Sequence, residues 1–472
     1  MPNERAVPAL CPGIAFAATL LLLGVVGAAL PAGAQSTNLT VSTAADHNIA
    51  LTPVIHPTGP GANLSVTTLV NAVQAGQVAV LTYGGSDGTP DSGEPGNIVI
   101  NAPIAYTNAD GIELRFGSKG DTIVNQPITP SGQTVLTFAP FGSVDVEAAL
   151  TAGSGDVGFE FTPQNQLTVN APITTTGGAR GIFISAESND QLTGDVTINK
   201  PLTLGPGQAS LTIFAEGTVK VTAALTVDQG WASVFANHGP AVVSDGAVLS
   251  ATALNIRPGP AGEQISVASG GASVTIGGIN GSGATVKVNT LNGVLFLQSP
   301  FDLDLTNTVI TAGGAFIAVA GGDVILDGQI SAGGAADQVV QILAGKNFQN
   351  NPTGVLQATG GASADIIVDN LNPARPNLSL QAQLVNSGTL DLGPNGALFA
   401  VHPSDVILGT FVPAHTRYNV WFGERDAAAG INYKVFDPNG TPAIPTLSTV
   451  GLAGLVSLLA LASLWMLRRK SA

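Results

Sequence analysis

The chain has 472 residues and a formal net charge of −15, yet only 10% of them are charged and 59 are glycine. That acidic balance repels a phosphate backbone and excludes nucleic acid as a partner on charge grounds. The abundant, patterned Val, Ile and Leu argue against a disordered chain. Cys11, the one cysteine, rules out a disulfide-stapled small domain.

Residues 1–34 have the layout of a secretory signal peptide. Arg5 lies in a short N-region, an apolar core runs from Ile14 to Leu30, and Pro31 breaks the helix. Ala32, Gly33 and Ala34 then offer small residues to signal peptidase before Gln35. Cys11 precedes the apolar core, which argues against a lipoprotein site, and the exported chain is cysteine-free. Of 31 acidic and 16 basic residues, one acidic and four basic lie in the two end segments, leaving 30 against 12 and a net of −18.

Residues 35–96 form an N-terminal cap region. "VTTLVNAVQAG" places Val66, Leu69, Val70 and Val73 on one helical face and predicts a capping helix before the strand "QVAVLTY". The loop "GGSDGTPDSGEPG" sets Asp87, Asp91 and Glu94 among turn formers. It could offer oxygens to Ca²⁺, but it lacks the nonapeptide pattern of calcium β-rolls and reads first as a plain turn.

Residues 97–397 repeat. "IVINAPI", "TIVNQPIT", "VDVEAALT", "LTVNAPITTTGG", "VTINKPLTLGPG" and "VKVTAALT" share alternation, a polar corner, a small residue or Pro, an aliphatic and often a glycine turn. The corners are Asn101, Asn125, Glu147, Asn170, Asn199 and Thr222, at steps of 24, 22, 23, 29 and 23. Weaker matches fall at Asp245, Ala268, Asn289, Thr306 and Asp327, and the ten steps from 101 to 327 average 22.6 residues. This period predicts an all-β fold, a right-handed parallel β-helix (solenoid) with capped ends. The rival is a β-sandwich, whose strands recur at 8–12 residues. The corner asparagines are expected to tolerate the left-handed region and to bond along a ladder. Pro103, Pro127, Pro172 and Pro201 are expected at the first residue of a strand. The third strand of each coil is read in "GIFISAE", "SLTIFAE" and "AFIAVAGG", and the long step to Asn199 is assigned to a loop at "SNDQLTGD". With "LVNAVQAG...VAVLTYGG" before them, "NIVINAPI" and "LTVNAPITTTGG" resemble the filamentous-haemagglutinin-like class of secreted bacterial β-helices, over about residues 60–335. The resemblance implies an exported adhesin or surface structural protein.

Paired catalytic groups are hard to find. His47, His56, His238, His402 and His415 lie in no metal-binding spacing. Asp302 and Asp304 in "FDLDLT" alternate to one strand face without basic partners nearby, which reads as a solvated outer face. Residues 398–440 hold an aromatic-rich C-terminal cap, with 7 of the 24 aromatics between Phe399 and Phe436. His415, Arg417, Glu424, Arg425 and Asp426 in it read as a surface cluster. No residue set receives a catalytic assignment, no metal or cofactor is implied, and the chain is read as a non-enzyme.

Residues 441–472 close the chain. Val450 to Leu467 is an uncharged run of 18, long enough for a transmembrane helix over 450–467. Arg468, Arg469 and Lys470 would hold the C-terminus in the cytoplasm. Ile444-Pro445-Thr446-Leu447-Ser448, Gly451, the span and the basic cluster resemble the IPTL-type C-terminal sorting signal of Gram-negative bacteria. Where that family has Trp before the glycine, this chain has Val450. The resemblance implies tethering in the inner membrane, processing by an exosortase-type transpeptidase and passage to the cell surface or beyond. The expected role is structural, adhesive or matrix-forming, with polysaccharide or host and cell-surface ligands as partners. The alternative is a polysaccharide-binding or polysaccharide-degrading protein, which would gather Asp, Glu, Arg or aromatic residues on one face of the coils.

Overall fold

The structure is a computed structural model. It describes residues 37–436 except 52–53, 77–78, 83–93, 109–110, 188–193, 207–209, 229–230, 244–247, 252–262, 270–273, 277–285, 291–293, 300, 336–338, 369–382, 394–395, 401–405, 409–418 and 427–429. The chain divides into two compact units, Met1–Asn189 and Asp190–Ala472.

In the first unit, parallel strands stack coil on coil along three faces. The first face joins Ala62–Ser65, Leu39–Ser42, Ile98–Ile100, Thr122–Val124, Val144–Val146 and Gln166–Val169. The second joins Ile104–Asn108, the start of Ile128–Phe138, Leu150–Thr151 and Ile173–Thr175. The third joins Ala79–Leu81, Glu113–Gly117, the end of Ile128–Phe138, Gly155–Phe161 and Ile182–Ala186. Parallel, in-register pairing between successive coils is what a β-sandwich cannot supply, so the solenoid reading holds.

Alternation explains the core. Every second residue of these strands points into the lumen, and Ile98, Ile100, Val124, Val144, Val146, Val169 and Ile173 are wholly buried. Each such burial contributes roughly 1.5–3 kcal/mol. Phe116, Phe138 and Phe161, register partners in successive coils, stack inside at centroid separations of 5.6 and 5.3 Å. The predicted helix is present as Val66–Gln74, with Leu69 and Val73 buried and Val66 and Val70 half-buried on the same face. It lies against Ala62–Ser65 and Ile104–Asn108 and ends with the Ala75 N–H on Asn71 O (2.9 Å).

The second unit repeats the plan. Its first face runs through Asp195–Ile198, Val219–Val221, Ala241–Val243 and Val274–Ile276, then through Phe348–Asn350, Leu384–Asn386 and Val406–Leu408. Between them, Leu303–Ala312 and Val324–Gly333 serve the first and second faces as single bent strands. Asn307 takes a positive φ of 53° in that bend. Its third face includes Ser210–Ala215, Trp231–Ala236, Phe316–Ala320, Ser363–Val368 and Ala397–Ala400. Asn419–Asp426 adds to it in parallel and then folds back on Gly430–Phe436 as an antiparallel hairpin.

Several expectations need adjustment. Asn125 Nδ2 donates to Asn101 Oδ1 (3.0 Å), Asn170 Nδ2 to Glu147 Oε1 (2.7 Å) and Thr222 Oγ1 to Asn199 Oδ1 (3.2 Å), so the corner ladder is real. The left-handed conformation is not used there: among described non-glycine residues, positive φ occurs at Asn48 and Asn307. The prolines stand one residue before their strands, which begin at Ile104, Ile128, Ile173 and Leu202. There they lack no ladder donor, and the carbonyls of Pro127 and Pro172 accept from Ile104 and Leu150 (both 3.0 Å). Among the weaker markers, Ala268 lies in the third face and Asn289 in the second, while Thr306 and Asp327 lie within the two bent strands. The register pairs Val243 with Ile276 and Asn350 with Asn386, so those coils are longer than the repeat predicts. Asp245 and the loop at 188–193 lie outside the described residues. Among the described residues no helix is long and apolar enough to cross a membrane; the run 450–467 is not among them.

Candidate functional site

The polar side chains at the coil corners are largely engaged with the neighbouring coil. Before several first-face strands, a side-chain carbonyl or carboxylate oxygen accepts the backbone N–H of the equivalent residue one coil on. In the first unit the Asp121 N–H donates to Asn97 Oδ1 and the Ser143 N–H to Asp121 Oδ1, both at 2.8 Å. In the second, the Thr218 N–H donates to Asp195 Oδ1 (2.6 Å), Asp323 to Asp302 Oδ1 (2.8 Å) and Asn347 to Asp323 Oδ1 (3.1 Å). A glycine precedes four of these five donors (Lys346 precedes Asn347), because there the acceptor occupies the space of a Cβ: one on Gly142 would collide with Asp121 Oδ1, and one on Gly217 with Asp195 Oδ1. The sequence carried this device as "GD", "GS" and "GT" before apolar strands, and the reading by corner residues passed over it.

Asp302 and Asp304 belong to this bonding. Asp302 Oδ1 holds the next coil, and Asp304 Oδ1 accepts both the N–H and the hydroxyl of Thr306 (3.0 and 2.6 Å). Glu94 Oε2 accepts the Asn38 N–H (3.1 Å), while Asp87 and Asp91 lie outside the described residues. His56 Nδ1 lies 2.9 Å from Val54 O and His238 Nδ1 3.0 Å from Glu216 Oε2. Glu424, Arg425 and Asp426 are placed along the last parallel strand opposite Asn432, Ile431 and Gly430. His402, His415, Arg417, Ala32, Ala34, Gln35, Ile444 to Ser448, Gly451, Arg468, Arg469 and Lys470 lie outside the described residues. Among the described residues no group of three His, Cys, Asp or Glu side chains is set to hold a metal ion.

The outer side of the first unit differs from face to face. On the second face it is small and hydroxylic, with Thr129, Thr151 and Thr174 in consecutive coils. On the third face it is charged. Register aligns Arg115, Thr137, Glu160 and Phe183 in one column, with Glu113, Val135 and Gly158 beside it. All seven alternate with lumen residues such as Leu114, Leu136, Phe159 and Ile182 and therefore face outward. Arg180 flanks the column, its Nε 3.6 Å from Asp156 Oδ2 and its N–H on Asp156 Oδ1 at 2.8 Å. Gly158 is buried beside the column, where a Cβ would meet the Arg180 Cβ, the Gly181 carbonyl and Val135.

The electrostatics of this column are unequal. Burial foremost, then the Glu113 carboxylate, push the Glu160 carboxyl above its usual range, and Arg115 opposes them. Among the described residues Arg115 has no ion-pair partner and is exposed. Thr137, between Arg115 and Glu160, is only 3% exposed, and its Oγ1 has no hydrogen-bond partner. Phe183 above Glu160 is 42% exposed. The column thus offers a cation, a carboxyl group, a hydroxyl and an aromatic ring in four successive coils. Sequence reading missed it because its members come from different coils, Arg115 and Glu160 two coils apart; aligning "IELRFG" and "DVGFEFT" on their outward positions would have brought Arg115 and Glu160 together.

Two other polar groups, the half-buried Asp145 and the buried Tyr106, have structural settings. Burial first, then Asp121 and Glu147, raise the Asp145 carboxyl on the first face, with Thr168 opposing. Burial pushes the Tyr106 phenol up to about 12, with Thr134 opposing. Compared with known proteins, the chain matches no protein-family model, no curated protein and no solved structure.

Proposed function

We propose that this chain is an exported protein of the cell surface or extracellular matrix, with a structural or adhesive, non-catalytic role. The observation that carries the reading is the use of Asx side chains as rung-to-rung ties in both units. Groups engaged in that way hold backbone rather than reacting, and a parallel solenoid built so is a scaffold for display. The fold that goes with this reading is a right-handed β-helix, with a helical signal segment at 1–34 and a transmembrane helix over 450–467. Signal peptidase would cleave before Gln35, and an exosortase-type transpeptidase would recognise Ile444–Ser448 and Gly451, with Arg468–Lys470 held in the cytoplasm.

Intact-mass analysis of the surface-extracted protein tests this. The expected species begins at Gln35 and ends near Ile444–Ser448. A mature chain that retains Arg468 would leave a permanent single-span anchor as the better account, and a chain that retains Met1 would overturn cleavage by signal peptidase.

A second reading, binding or degradation of polysaccharide, is favoured by one observation, the charged third-face column of the first unit. Incubation with neutral and acidic glycans separates the two halves of that reading. New reducing ends or unsaturated products would establish degradation and overturn the non-catalytic role.

A further inference from the structure

We infer that the column Arg115–Thr137–Glu160–Phe183 is a binding site for a neutral polysaccharide. The inference rests on the adhesive reading above and names its ligand.

Spacing comes first. Adjacent coils are ~4.8 Å apart, so the four residues span about 14 Å in a straight line, a length suited to a short run of sugar rings. The chemistry of each position suits a polyol. Arg115 presents a fork of donors to hydroxyl or ring oxygens, and the Glu160 and Glu113 carboxyl groups accept from sugar hydroxyls. Phe183 offers an apolar ring whose negative face attracts the polarised C–H groups of a pyranose. Thr137 is the observation that points to a ligand independently of charge. Its hydroxyl is on the outward side, almost wholly covered, and has no partner. Leaving a buried hydroxyl unsatisfied costs about 1–3 kcal/mol, which a ligand hydroxyl reaching the column would relieve.

Charge selects the class. Arg180 is already paired with Asp156 at 3.6 Å, so Arg115 is the cation left to a ligand, and it faces Glu113 and Glu160. A polyanion would meet two carboxyl groups for one guanidinium, in the field of an acidic chain. A neutral glycan meets donors and acceptors in balance.

The test uses the full-length chain in detergent, titrated calorimetrically with neutral gluco-, manno- and galacto-oligosaccharides and with uronic-acid oligosaccharides of equal length. At least one neutral series should bind, and the uronic-acid series should bind at least 10-fold more weakly. Arg115→Ala and Phe183→Ala, both at exposed positions, should each weaken neutral-glycan binding by 10-fold or more. Phe301→Ala, an exposed phenylalanine of the second unit (54%), should leave it unchanged. Binding that survives both column variants overturns the site while leaving glycan adhesion standing elsewhere on the chain. Preference for the uronic-acid series, or no binding of any neutral glycan, overturns the proposal; the mass analysis of the mature ends then decides separately whether the surface reading stands.

Discussion

Each unit stacks phenylalanines in adjacent coils, on opposite sides of its wall. In the first unit Phe116, Phe138 and Phe161 are buried in the lumen, with rings inclined by 14 and 15°. In the second, Phe214 and Phe235 stack at 5.6 Å and 18° but are half-buried on the outside, between the lumen residues Ile213 and Ala215, and Val234 and Ala236. The stacking geometry is nearly the same because in-register parallel strands impose it wherever two aromatic residues are partners. What differs is the water excluded. A one-residue shift in the alternation moves a ring from core to surface, so one motif can serve stability in one place and surface character in another.

The largest break in that comparison is Phe138→Ala. It removes the middle ring of the inner stack and leaves a cavity that rigid coils close poorly, so the expected loss is about 3–5 kcal/mol. Denaturant unfolding checks the size, and amide exchange should show protection falling first in the strands of Phe116 and Phe161, because solenoid stability is carried between neighbours. If the loss is no greater than for Phe235→Ala, the side on which a ring stacks does not matter and the comparison fails.

A second contrast comes from the Asx ties. A Cβ on Gly217 meets chiefly the Asp195 carboxylate, whereas one on Gly142 meets Asp121 Oδ1 and also the backbone of Gly120. Gly217→Ala should cost roughly 1–3 kcal/mol by overpacking, and most of that cost should vanish in an Asp195→Ala background. Gly142→Ala should cost a similar amount that Asp121→Ala does not recover, since backbone cannot be trimmed. Double-mutant cycles measure both, and equal rescue at the two sites would contradict the geometry.

Phe235→Ala should cost about 1 kcal/mol, the value of a stacked pair with modest area, and should raise the exposure of Phe214 to a soluble quencher. Cost and position together show how far the fold was legible in the sequence. Alternation in "TVLTFAP" and "SLTIFAE" fixes which residues share a side, and the corner Asn101, Asn125 and Asn170 fix the coil length. Whether Phe138 or Phe235 is the inner ring depends on which residue begins the strand, and the corner markers lose that register after Thr222, where coils lengthen and two faces merge into single bent strands. The helix at Val66–Gln74 was legible because its 3.6-residue period is local. The third-face column was not, because Arg115 and Glu160 become neighbours through two coils of register rather than through any motif.

The smallest expected effect concerns that column, and its sign is fixed by the environment of Glu160. Burial, then the Glu113 charge, raise its carboxyl above the unfolded value. A raised acid is a stability cost when ionised: the folded state holds its proton to higher pH than the unfolded state does. Glu160 therefore costs nothing below its unfolded pKa, begins to cost as pH rises through that value, and costs its full amount once pH exceeds the folded pKa. Glu160→Gln removes the charge while keeping the shape. At neutral pH it should stabilise the first unit by under about 1 kcal/mol, discounted for partial exposure, and at pH 3 the gain should disappear. Glu113→Gln should give a weaker gain over the same window because it removes only the repulsion. Arg115→Ala should act in reverse, raising the Glu160 carboxyl further and widening the gap between acid and neutral stability. Unfolding midpoints at pH 3 and pH 7 measure all three, and a gain for Glu160→Gln that persists unchanged at pH 3 would mean that packing, not ionisation, governs the outer side of this face.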